Sequence, residues 1–180
     1  MWTPCARDGG ASVNNRELST DALVIKYAPD GRELWERRLD LAGEYDTVVG
    51  VAADAQGNVF ALVNSVLSRG SNAVGVLLKY APDGTELWRR TLTGSAPSGA
   101  GGAALRLDGQ GQPHVAGYRW NGASFDVLVA KFDASGMALW QRQYDGIVGG
   151  DDHATALALD AAGNVVVAAV SAGRLGRDPQ

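Results

Sequence analysis

Side chains able to do chemistry are few in this 180-residue sequence, and their spacing limits what that chemistry can be. There are two histidines, His114 and His153, and a single cysteine, Cys5, so counting alone excludes most pairings of a nucleophile with a base. The sequence holds no Gly-x-Ser-x-Gly elbow, no P-loop, no His-Glu-x-x-His and no Gly-x-Gly-x-x-Gly opening a helix. Asp151, Asp152 and His153 set oxygen and nitrogen donors side by side. Neighbours in a strand point to opposite faces, so at most part of that run can serve one metal. Cys5 alone can close neither an intrachain disulfide nor a soft-metal cluster. The stretch from Ser95 to Gly102 is rich in glycine, but no helix follows to hold a phosphate, and it reads as a flexible connection. No catalytic residue, metal ligand or cofactor site is expected from these residues.

Chemistry at the surface is better supplied. Glu44, Tyr45, Arg69, Arg119, Trp120, Asn121, Asp152 and His153 are polar or aromatic side chains that fall in or beside connections of unlike length and composition. Loops that vary over a constant scaffold are where binding usually sits. Trp120, flanked by Arg119 and Asn121 and out of register with the other tryptophans, is the aromatic expected to be exposed.

The elements that must position these residues come from an internal repeat. Three segments, KYAPDGRELW, KYAPDGTELW and KFDASGMALW, place Lys26, Lys79 and Lys131 at intervals of 53 and 52 residues, and Trp35, Trp88 and Trp140 at the same intervals. A second marker follows each: Asp54 to Gly57, Asp108 to Gly111 and Asp160 to Gly163, at 54 and 52. Each unit reads as four short strands joined by Pro-Asp-Gly and Asp-x-x-Gly turns, with no convincing helix. Runs such as ALVIKY, VVGVAA and VVVAAV are apolar on nearly every residue, which calls for cover on both faces of the sheet. An all-β stack of four-stranded antiparallel blades, a β-propeller arrangement, meets that need at this repeat length. The repeated tryptophans then belong to inter-blade packing. The repeated lysines are rim charges with buried stems, and Asp54, Asp108 and Asp160 cap the amides of their turns.

The pattern Lys-Tyr/Phe-x-x-x-Gly-x-x-Leu-Trp followed by Asp-x-x-Gly-Asn-Val resembles that of the seven-bladed β-propeller repeat (SBBP) family, over about Asp21 to Ser171. The second unit departs from it at Gln112-Pro113 and at Ala100, where the other units carry Asp46 and Asp152. The resemblance implies structural motif residues, no catalytic ones, and an exported or cell-surface bacterial setting. It also implies that Val48 to Ala53 and its equivalents are innermost. The chain then divides into an irregular segment 1–20, an outer half blade 21–39, blades 46–92 and 102–144, an inner half blade 153–171 and a tail 172–180. Half blades at both ends imply self-association or continuation into a longer propeller.

The expected function is a non-catalytic module for binding or scaffolding, with a protein or glycan as ligand. The alternatives are a fragment of a quinoprotein-like enzyme, whose blade motif Asp-Gly-x-x-Leu-Trp is loosely similar and whose family binds pyrroloquinoline quinone with calcium, or a truncated product without independent function. Sixteen basic and twenty acidic residues give a net charge of −4 without runs of either sign, which disfavours nucleic acid. Residues 1–20 contain no apolar stretch of the kind a secretory leader carries, and no apolar run is long enough to span a bilayer.

Overall fold

A computed structural model describes residues 20–41, 45–66, 73–92, 99–147 and 149–173. Twelve strands follow one another without a helix among the described residues. The first pair, β1 (Ala22–Tyr27) and β2 (Glu33–Leu39), forms a two-stranded sheet. A four-stranded sheet in the order β3-β4-β5-β6 comprises Tyr45–Ala53, Val59–Val66, Ala73–Tyr80 and Glu86–Thr91. A second, β7-β8-β9-β10, comprises Ala100–Leu107, Pro113–Trp120, Phe125–Phe132 and Ala138–Tyr144. The last pair, β11 (Asp152–Leu159) and β12 (Val165–Ser171), is again two-stranded. All strand pairs are antiparallel. The sheets are open and blade-like: a two-stranded sheet, two four-stranded sheets and a second two-stranded sheet follow one another along the chain, the second four-stranded one starting at Ala100.

The turns explain why the strands stop where they do. Each outer hairpin turns on a glycine in the left-handed region, Gly31, Gly84 and Gly136, at φ of 82 to 84°, where a side chain would be strained. In the inner hairpins the aspartate does what its position predicts. Asp54 Oδ1 accepts hydrogen bonds from the Gln56 and Asn58 amides, Asp108 from those of Gln110 and Gln112, and Asp160 from those of Ala162 and Asn164. Asn58 and Asn164 also donate their side-chain amides to the second carboxylate oxygen. Where Gln112 replaces asparagine, Lys131 Nζ takes that oxygen of Asp108 at 2.9 Å. Burial pushes the Asp108 carboxyl up, but the amide bonds and Lys131 outweigh it and hold it below its ordinary value.

Packing between sheets supplies the core. Ala22, Val24, Trp35 and Leu39 of the first half blade lie on Ala61, Val63, Val76, Leu78 and Tyr80 of the next sheet. The other face of that sheet, with Phe60, Leu62 and Leu77, packs on Leu105, Val115, Leu128 and Phe132. A third cluster, from Ala104, Ala116 and Val127 to Ala154 and Leu157, joins the last half blade. Each large apolar side chain so buried contributes about 1.5–3 kcal/mol. Strands β4 and β5 of the first four-stranded sheet are thus covered on both faces, whereas β3, whose run VVGVAA was expected to be covered as well, leaves Val51 exposed.

A polar clasp recurs where β2 meets the β5–β6 turn and where β6 meets the β9–β10 turn. Trp35 Nε1 donates to Pro82 O at 2.9 Å and Arg37 Nε to Gly84 O at 2.7 Å; one blade later Trp88 Nε1 donates to Ala134 O and Arg90 Nε to Gly136 O, both at 3.0 Å. Lys26 and Lys79 add bonds to the Pro82 and Ala134 carbonyls. Lys26 and Lys79 are therefore fasteners between blades, Lys79 as a buried cation, whereas Lys131 pairs with Asp108 of its own sheet.

Two expectations change in the fold. Gly101 and Gly102, expected in a flexible connection, lie within β7, where Gly101 faces the Tyr118 ring and Gly102 exchanges two 2.8 Å hydrogen bonds with the Asn64 side chain. Close approach, of the cross-strand Tyr118 ring at Gly101 and of Leu62 in the neighbouring blade at Gly102, accounts for these glycines rather than flexibility. The runs Val165–Val170 and Ala22–Tyr27, expected to be covered on both faces, leave Val166, Val170, Leu23 and Tyr27 exposed, because among the described residues no sheet lies over those faces.

Tyr80 is buried in the first cluster with its hydroxyl lacking a partner among the described residues, and burial, aided by Glu86, raises its pKa to about 12. Removing an unsatisfied buried hydroxyl is close to neutral, so Tyr80→Phe should change stability at pH 7 by no more than about 1 kcal/mol, in the stabilising direction. With the folded-state pKa above the unfolded value of about 10, stability is at its full value below pH 10 and falls as pH rises through 12, where a buried phenolate has to form. Urea titrations across that range should show the alkaline loss in the parent and a smaller one in Tyr80→Phe; equal losses would remove the assignment.

Candidate functional site

The best-formed chemical surface lies at one end of the second whole blade, where the chain leaves β8 and enters β9. Asn121 shapes the turn: its Oδ1 accepts from the Ala123 and Ser124 amides, and Gly122 adopts φ of 114°. The Asn121 side-chain amide donates to Asp126 Oδ1 at 2.8 Å. Held by this turn, Trp120 and Phe125 meet as a cross-strand pair with ring centroids 5.1 Å apart. Tyr118, two residues earlier on the same face, packs edge-on to Phe125 at 5.3 Å. His153 arrives from β11 of the neighbouring half blade and contacts Tyr118 at 4.9 Å and Phe125 at 5.4 Å. All four rings are partly exposed. Burial raises the Tyr118 pKa, so its hydroxyl stays protonated at neutral pH.

Behind the rings lies an acidic group. One oxygen each of Asp126, Asp145 and Asp152 lie within 4.8 Å of one another, with Asp126 and Asp152 buried. Asn121 and Gln143 donate to Asp126, while the Gly146 and Ala172 amides donate to Asp152. The Ser171 hydroxyl, ahead of those amides, holds the Asp152 carboxyl below its ordinary value. Oxygens already supplied with donors are suited to fastening loops, and a cation would have to displace those donors. Asp46 does the same two repeats earlier, accepting from the Leu41 amide at 2.8 Å as Asp152 does from Gly146. Ala100, between them, cannot, which is the sense of that departure in the second unit.

The structure brings Trp120 and His153 together, with Asn121 and Asp152 as supports beneath them. Arg119 stands next to Trp120 and opposite Asp126 in the ladder. Tyr45 is elsewhere, at the start of β3, bridged to Thr20. Glu44 and Arg69 lie outside the described residues, as do 42–44, 67–72 and 93–98 of the connections around them. Tyr118, Phe125, Asp126 and Asp145 were missing from the sequence-based candidates. A signal for the aromatic pair was present: Tyr118 occupies the place of Asn64 and Val170, and Phe125 that of Ala73, so both break the repeat. His114, the other histidine, is buried beside Trp140, and burial lowers its pKa. Among the described residues neither histidine is hydrogen-bonded to a hydroxyl.

No known family's model matches the chain, and no curated protein matches it either.

Proposed function

We propose that this chain is a non-catalytic β-propeller repeat module of the seven-bladed repeat type, which binds or scaffolds through the end of the blades that carries Trp120. One observation carries the proposal: four partly exposed rings, Tyr118, Trp120, Phe125 and His153, meet at the seam between two blades. Rings held this way offer apolar contact with little loss of side-chain freedom, suited to the face of a sugar ring or to an apolar side chain of a protein partner. The carboxylates beneath make the surface unfavourable for phosphate. An exported or cell-surface location fits such a module and follows from the family resemblance alone. The carboxylate trio is the feature a metal-dependent enzyme would need, and the hydrogen bonds it already accepts favour the structural role.

The test is binding. Screened against glycan and peptide arrays, the parent should retain a ligand that Trp120→Ala loses by roughly tenfold, the effect of one aromatic contact worth about 1.4 kcal/mol. Its melting should stay close to the parent's, since Trp120 lies at the surface. No ligand on either array, or one that ignores Trp120→Ala, would refute the assignment of this face.

A further inference from the structure

Two incomplete surfaces of the molecule are complementary to each other. At one, the clasp of the outer rim is loaded with donors and lacks its acceptors. Trp140 and Arg142 occupy the register of Trp35 and Arg37 and of Trp88 and Arg90. Arg142 is set in the same posture, its Nη1 donating to the preceding carbonyl as in Arg37 and Arg90. Among the described residues no acceptor meets Trp140 Nε1 or Arg142 Nε. At the other surface, the turn Ala28–Gly31 has the hydrogen bond and positive φ of the two turns that receive clasps, Ala81–Gly84 and Asp133–Gly136. Among the described residues no donor reaches the carbonyls of Pro29 and Gly31.

The strands beside these groups are incomplete in the same way. In the whole blades the face formed by Val76, Leu78 and Tyr80, and by Leu128, Ala130 and Phe132, is buried against the preceding sheet. In the first half blade the same positions are Leu23, Ile25 and Tyr27, and Leu23 is 41% and Tyr27 56% exposed, against 1% for Tyr80 and 4% for Phe132. At the far end an apolar groove of about 280 Å³ opens between Val127, Val129 and Tyr144 of one blade and Val167 and Ala169 of the last half blade. β12 has a free hydrogen-bonding edge there, and so has β1.

We propose that the outer half blade β1–β2 of a second copy of this chain docks on β12, completing a four-stranded blade in the order β11-β12-β1-β2. The β4–β5 and β8–β9 ladders give the register: Val59 pairs with Tyr80 and Val115 with Ala130, which sets Val165 opposite the second copy's Tyr27 and Val167 opposite its Ile25. Leu23 and Ile25 then fill the groove, and the Pro29 and Gly31 carbonyls reach Trp140 and Arg142. A chain cannot satisfy its own ends, because three blades roughly 120° apart would splay beyond the ~10 Å spacing that buries both faces. Two chains docked reciprocally close into a ring of six blades with twofold symmetry.

Light scattering should give a mass twice the 18.8 kDa of one chain. Leu23→Glu with Tyr27→Glu, both at sites already exposed in the single chain, should reduce the mass to one chain while leaving the β-sheet circular dichroism unchanged. In a Cys5→Ser background, Ile25→Cys with Val167→Cys should cross-link two chains on oxidation, and the out-of-register pair Ile25→Cys with Ala169→Cys should do so several-fold less. A single-chain mass for the parent, a dimer indifferent to the glutamates, or cross-linking no better in register than out of it would overturn the proposal. It stands apart from what the aromatic face binds.

Discussion

Gly117→Ala is expected to destabilise the fold by about 3 kcal/mol or more, beyond the usual cost of one added methyl in a packed core. A Cβ at this position would be driven into the carbonyl oxygen of Gly101, far inside van der Waals contact, and would lie 3.0 Å from the Gly102 Cα. Both obstacles are backbone, so no side-chain rotation relieves them. β7 and β8 would have to separate where Gly102 pairs with Gly117, beside the bulge between Gly102 and Ala104. That shift would break the two bonds from Asn64 that tie the whole blades together. For a chain of this size, such a loss lowers the melting temperature by roughly 10 °C. A Gly117→Ala protein melting with the parent would show that the inner strands are not in this register.

The second large effect is expected from Phe60→Ala, at about 3–5 kcal/mol. Phe60 is fully buried between the two whole blades, edge-on to Trp88 at 5.9 Å, with the Lys79 ammonium 5.0 Å from its ring. Truncation leaves a cavity that two sheets, fastened by the rim clasp and by Asn64, cannot close. Denaturant melts of Phe60→Ala and Trp120→Ala measure the contrast: both remove an aromatic ring, and a similar cost for the two would dissolve the distinction between inter-blade core and loop face.

Much of this architecture is legible from the order of residues because it is local. The 53- and 52-residue spacing, the Pro-Asp-Gly and Asp-x-x-Gly turns and the apolar runs between them depend on neighbours within a few positions. They decide strand, turn and blade before any sheet packs on another. The capping role of Asp54, Asp108 and Asp160 is local in the same way, since each carboxylate reaches amides two and four residues ahead. The site residues were legible only to a degree: Trp120 and His153 stood out by type, whereas Tyr118 and Phe125 were marked only by their departure from Asn64, Val170 and Ala73 at the same repeat positions.

What the tertiary structure alone decided concerns pairs far apart in the chain. Trp35, Trp88 and Trp140 are equivalent in sequence, yet Trp35 is buried while Trp88 and Trp140 are only partly so, because burial depends on what the adjoining blade lays over them. The glycines of β7 read as flexible until Leu62, Tyr118 and the Gly117 backbone are seen pressing on them. Asp126 and Asp152 come together only because β11, which follows the β7–β10 sheet in the chain, lies against β9 of that sheet. Residue types and periodicity establish which segments are strands, since backbone preference and alternation act over short range. Which faces stay open, and which rings meet at their ends, follows from how many sheets are stacked and where the stack stops.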